Sequence, residues 1–76
     1  MPKLPVMSGR QALRALELGG FVVDWVQGSH HIMRHPVTGR RVSVPVHGGH
    51  DLKVGTLRSI IRDAELTVDQ FCELLK

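Results

Sequence analysis

Residues 21–46 read FVVDWVQGSHHIMRHPVTGRRVSVPV, and the way strand-forming residues alternate with turn residues in this stretch decides the fold. Phe21-Val22-Val23-Asp24-Trp25-Val26 is dense in β-branched and aromatic side chains, which suit a pleated, half-buried surface, so it predicts a first strand. Gln27-Gly28-Ser29 is a tight turn, after which His30 to Arg34 pairs back as the second strand of a hairpin with His30 at its beginning. Pro36-Val37-Thr38-Gly39 supplies the next turn. Val42, Val44 and Val46 then alternate with Arg41, Ser43 and Pro45, predicting a third strand with one buried face. Pro45 has no N–H to give a ladder and belongs at the strand's end or on an edge.

Helical signals lie on both sides of this sheet. Ser8-Gly9-Arg10-Gln11 fits a capping box, and Leu13 and Leu16 follow at helical spacing, so a first helix is expected over about Gly9 to Leu18. Gly19-Gly20 stops it, because glycine takes the left-handed C-terminal conformation without a Cβ penalty. Past the loop His47-Gly48-Gly49-His50-Asp51, an apolar stripe of Val54, Leu57, Ile60, Ile61 and Ala64 predicts a second helix over about Lys53 to Asp63. Thr67-Val68-Asp69-Gln70 is a second capping box with Leu66 placed to staple onto Phe71, launching a short last helix through Leu75. The expected order is α-β-β-β-α-α, a single α+β domain over residues 1–76 with a three-stranded antiparallel sheet, helices on one face and the other face open.

Composition narrows the function classes. A chain of 76 residues buries only about 60% of its unfolded surface and cannot divide that core in two, so one functional surface is expected. The single cysteine, Cys72, excludes an internal disulfide and a cysteine-rich metal site and suits a reducing compartment, with the cytoplasm as the default. No stretch approaches the roughly 18 apolar residues of a membrane span, and Met1 to Val6 is too short and Pro-broken for a signal peptide; neither membrane nor small-molecule cofactor is expected. Charge is unevenly spread. Nine Lys and Arg face three acids through Arg62, whereas the segment from Asp63 onward carries four acids and one lysine. A basic body of this kind favours a polyanion, and phosphate backbones are the commonest in cells.

Three constellations can carry chemistry. Gly28-Ser29-His30 sets an imidazole just after a turn, where a rigid strand start leaves the ring accessible to give or take a proton near neutral pH. Lys53-Val54-Gly55-Thr56 opens the second helix, where free N–H groups and the positive dipole end bind phosphate, and Arg58 and Arg62 extend a basic ridge at i, i+4 spacing. His47-Gly48-Gly49-His50 offers two ligands toward a metal, although two glycines leave their geometry unfixed and zinc needs three or four. Trp25 and Cys72 are assigned to packing, each falling on an apolar face.

Taken in order, these features resemble the HicA (YcfA-like) mRNA interferase toxins along nearly the whole chain. The resemblance rests on Lys3-Leu4-Pro5 with Ser8-Gly9, Gly20-Phe21, Gly28-Ser29-His30, Val44-Pro45-Val46-His47, the run from Gly55-Thr56-Leu57 to Arg62, and Leu66-Thr67. Where the family reads Ala-Gly-Leu-Thr, this chain has Ala64-Glu65-Leu66-Thr67, a departure confined to a helix–helix turn. The resemblance implies a double-stranded-RNA-binding-like fold, a toxin of a type II toxin–antitoxin system, metal-independent endoribonuclease action on mRNA, and neutralisation by a HicB antitoxin. It assigns the catalytic role to His30 and treats His31 as a variable position. RNA-binding roles then fall to Gly28, Ser29, Lys53, Gly55, Thr56, Arg58 and Arg62, with His47 or solvent as candidate general acid and no metal. Two alternatives carry different tests: a non-catalytic RNA-binding module of the same fold would bind without cleaving, and a structural metal domain built on His47 and His50 would carry bound zinc.

Overall fold

The computed structural model describes residues 4–76, so Lys3 of the opening motif and the start of the Met1 to Val6 stretch lie outside the described residues. Its elements run α1 (Gly9–Leu18), β1 (Val22–Gln27), β2 (His30–Arg34), β3 (Arg41–Pro45), α2 (Val54–Asp63) and α3 (Val68–Glu73). The strands form one antiparallel sheet in the order β1-β2-β3. This is the α+β architecture expected from the sequence.

Both capping boxes form. The Ser8 hydroxyl accepts from the Gln11 N–H while the Gln11 side chain accepts from the Ser8 N–H, and Thr67 and Gln70 repeat the exchange at α3. Phe21, expected in β1, instead closes α1. Its N–H bonds the Leu16 carbonyl and the Gly20 N–H bonds that of Glu17, a Schellman ending with Gly20 at φ +98°. The Phe21 ring is thereby turned into the core. β3 stops at Pro45, yet the Val46 N–H donates to the Ser29 carbonyl at 2.7 Å, so the pairing outlasts the strand by one residue. α3 ends at Glu73, two residues earlier than expected.

The core lies between the inner sheet face and the three helices. Met33, Val42 and Val44 from the sheet meet Ala12, Ala15 and Leu16 of α1, Leu57, Ile60 and Ile61 of α2, and Phe71 of α3. Burying a side chain such as Phe71 is worth about 1.5–3 kcal/mol, enough to hold a six-residue helix that could not stand alone. α1 and α2 pack over β3, and α3 packs against α1. β1, at the far edge, keeps all six residues exposed.

α2 ends in the same Schellman motif as α1. The Leu66 N–H reaches the Ile61 carbonyl and the Glu65 N–H that of Arg62, which forces Glu65 to φ +55°. This is the position where the family pattern has glycine. A left-handed non-glycine residue costs about 1–2 kcal/mol, against about 0.4–1 kcal/mol of extra unfolded-state entropy for glycine and about 0–1 kcal/mol for the exposed Arg40–Glu65 ion pair. Glu65→Gly is therefore expected to stabilise the domain by roughly 0.5 kcal/mol, about 2–4 °C in Tm. Calorimetry on the two proteins checks this, and a lower Tm would mean that the ion pair outweighs the strain.

Candidate functional site

The hairpin turn sets two histidines on opposite faces. Gln27 and His30 pair across a two-residue loop whose first residue, Gly28, has φ +58°, the II′ pattern that follows the sheet's twist. Neighbouring strand residues alternate in direction. His30 therefore stands on the open outer face, exposed, with Gln27 and Pro45 as its cross-strand partners. His31 points inward between Val26 and Val44, half-buried, and its Nδ1 is buried without a hydrogen-bond partner among the described residues.

A third histidine is structural. The Nδ1 of His35 accepts from the Val37 and Thr38 N–H groups, at 3.2 and 3.3 Å, and its ring meets Phe21 edge-on at 5.1 Å. It thus braces the loop between β2 and β3.

The remaining two border an open groove of about 610 Å³, lined by Pro45, His47, His50, Asp51, Leu52, Lys53 and Thr56. Long-range contacts build it. After Pro45 the chain turns, with the His50 N–H on the His47 carbonyl, and runs back past the start of α1, where Asp51 bridges to Ser8 and the Leu52 N–H reaches the Met7 carbonyl at 2.8 Å. It then enters α2 through Lys53. Lys53 is the N-cap but makes no side-chain cap hydrogen bond, and the first turn holds no acid, so the opening N–H groups of α2 remain available beside an ammonium group. Such an entrance suits an anion. Gly55, in that first turn, faces open space.

The sequence-derived residues thus fall into three places. His47, Lys53 and Thr56 come together in the groove. Gly28, Ser29 and His30 form the hairpin tip, joined to the groove through Pro45, which pairs with His30 and also lines the groove. Arg58 and Arg62 instead line a second depression with Ile61, Leu66, Thr67 and Val68, and Arg62 keeps a loose pairing with Asp63 at 3.6 Å. Among the described residues no three His, Cys, Asp or Glu side chains gather into a group that could hold a metal ion. No helix among them is long and apolar enough to cross a membrane.

The assignment of Trp25 to packing needs correction. Strict alternation puts Trp25 on the same face as Val23, opposite Met33 in the core. The register slips between Val23 and Trp25, however, so Trp25 pairs with Ile32 on the outer face and remains 44% exposed. The bulge adds one residue, and one residue is enough to reverse a strand's faces. Asp24, a carboxylate in the middle of an apolar strand, was the available signal. Its Oδ2 lies 3.9 Å from Arg34 and 3.7 Å from Arg41, and the Arg41 guanidinium sits 5.4 Å from the centre of the Trp25 ring. Sequence reasoning passed over this Trp25, Arg34 and Arg41 cluster, which shares a face with His30.

Comparison with known families finds one whose description is HicA toxin of bacterial toxin–antitoxin, matching residues 9–66 of the 76. No curated protein matches the chain.

Proposed function

Because the chain belongs to the HicA toxin family, and so is a toxin of a toxin–antitoxin system, we propose that it acts as a metal-independent endoribonuclease on mRNA with His30 as general base. The observation that carries this reading is the junction at Pro45. There an exposed imidazole on the strand adjoins an anion-suited groove at the entrance of α2.

In this mechanism the scissile phosphate lies toward the α2 entrance. His30 takes the proton of the neighbouring ribose 2′-OH, the 2′ oxygen attacks phosphorus, and the bond to the 5′ oxygen breaks to leave a 2′,3′-cyclic phosphate. Lys53 and the free N–H groups of α2 stabilise charge developing on the phosphoryl oxygens. His47, in the same groove, supplies the proton to the departing 5′ oxygen. The nucleophile is part of the substrate and Lys53 with the α2 N–H groups supplies the countercharge, so the step proceeds without a metal cation. Gly28 and Ser29 hold the backbone close to the strand, and a HicB-type antitoxin covers this basic surface until it is released.

A second reading has its own observation. The Nδ1 of His31, a buried polar atom with no hydrogen-bond partner among the described residues, is of the kind that functional sites retain, and it favours His31 as the base. Cleavage assays on the two single alanine variants separate the readings, as argued below.

Arg58 and Arg62 are placed in RNA binding rather than chemistry, since they line a depression distinct from the groove. Each phosphate contact contributes about 0.7 to the slope of log affinity against log salt for a single strand, so Arg58→Ala/Arg62→Ala is expected to flatten that slope by about one unit or more. Binding should weaken alike on all sequences. An unchanged slope would leave the two arginines as solvating charges only.

A further inference from the structure

We propose that Trp25, backed by the Arg41 guanidinium, is a stacking platform for the nucleobase next to the scissile phosphate, a proposal that rests on reading the chain as an RNA-binding ribonuclease. The helices cover only the inner side of the sheet, so among the described residues the outer face of β1 and β2 is open, and it carries Trp25, Gln27, His30, Ile32 and Arg34. An exposed indole on such a face is costly to leave in water and is well matched to the flat face of a base.

Geometry ties the platform to His30. Trp25 is paired with Ile32 and His30 with Gln27, so the two rings stand on adjacent strands one same-face step apart. That step is about 7 Å along the strand, a distance that a single nucleotide spans. A base stacked on Trp25 therefore belongs to the nucleotide adjoining the one at His30.

Charge favours the same occupant. Arg41 lies over the indole within cation–π range and backs one face of the ring, while Asp24 lies within 4 Å of both Arg41 and Arg34. The two guanidinium groups exceed the one carboxylate, so the patch is net basic. Stacking tolerates every base, because each has a π face. The platform therefore supplies affinity and register rather than sequence choice.

Trp25 is the only tryptophan in the chain, so its fluorescence reports this site alone. The probe is a short 2′-O-methyl oligouridylate, which cannot be cleaved through its 2′ oxygen, compared with an abasic sugar-phosphate strand of equal length, with binding followed by anisotropy. The oligouridylate should quench the fluorescence saturably, and the abasic strand should bind with little quenching. Trp25→Ala should weaken oligouridylate binding by about 5- to 150-fold, the range that stacking on one aromatic side chain supports. Trp25→Phe, which retains a flat ring, should recover most of it.

Three results overturn the platform. Oligouridylate binding with unmoved fluorescence would place the bases elsewhere. Unchanged RNA affinity in Trp25→Ala, with loss of association to the antitoxin, would make this face a protein-docking surface. Absence of any oligonucleotide binding would remove both the platform and the ribonuclease reading. If instead quenching occurs in a wild-type chain that does not cleave RNA, the platform stands and the catalytic reading alone fails.

Discussion

His30→Ala is expected to lower RNA cleavage by about 10²- to 10⁴-fold, the usual contribution of a positioned general base. The loss should occur without unfolding. His30 is exposed on the outer face, and surface substitutions of this kind usually change stability by no more than about 0.5 kcal/mol. Cleavage by the wild-type protein should be the same with and without EDTA, since the attacking 2′ oxygen comes from the RNA and Lys53 with the α2 N–H groups supplies the countercharge. His31→Ala should retain most activity while altering packing beside Val44. The reverse pattern, with His31→Ala inactive and His30→Ala active in folded protein, would move the base to the inner face. Full activity in both variants would remove histidine at this turn from the chemistry.

Gly9→Ala is expected to cost the fold about 2 kcal/mol or more. A Cβ built on Gly9 would lie 2.2 Å from the Pro45 carbonyl oxygen and 3.0 Å from the Val46 Cα. Both are backbone atoms, so no side chain can swing aside, and overpacking of this kind costs roughly 1–3 kcal/mol and occasionally more. For a domain whose total stability is of the order of 4–11 kcal/mol, the Tm should fall by about 8–16 °C. Activity should fall as well, because the displaced segment is the one that joins His30 to the groove. Gly55→Ala is the matched comparison. Gly55 sits in the first turn of α2 with nothing among the described residues within 4 Å of its Cβ position, so the same added methyl should raise stability, by at most about the 0.5–1 kcal/mol of a mid-helix site. Thermal melts of the two variants should move in opposite directions. An unchanged melt in Gly9→Ala would show that β3 can move away from α1 at little cost.

These expectations rest on two kinds of information. The order of elements, both capping boxes, the Gly28 turn and the inward set of Val42 and Val44 were legible from the residues alone, because hydrogen-bond caps and two- or three-to-four-residue periodicities act over a few neighbours. So was the histidine of Gly28-Ser29-His30, whose place at a turn follows from the residues beside it. The face of Trp25 was not legible. It depends on whether β1 pairs with β2 in regular register or with one extra residue at Asp24, and that choice is made by the partner strand. The groove was not legible either, since His47 and Lys53 meet only after the chain has turned back along α1 and Asp51 has bridged to Ser8. Glu65 makes the point within one position. Its departure from the family's glycine could be seen in the sequence, but its left-handed backbone and its pairing with Arg40 could not, because the Schellman turn is closed by α2 and the partner arginine arrives from the β2–β3 loop. Local chemistry determined the elements; contacts between residues far apart in the chain decided which side chains share a surface.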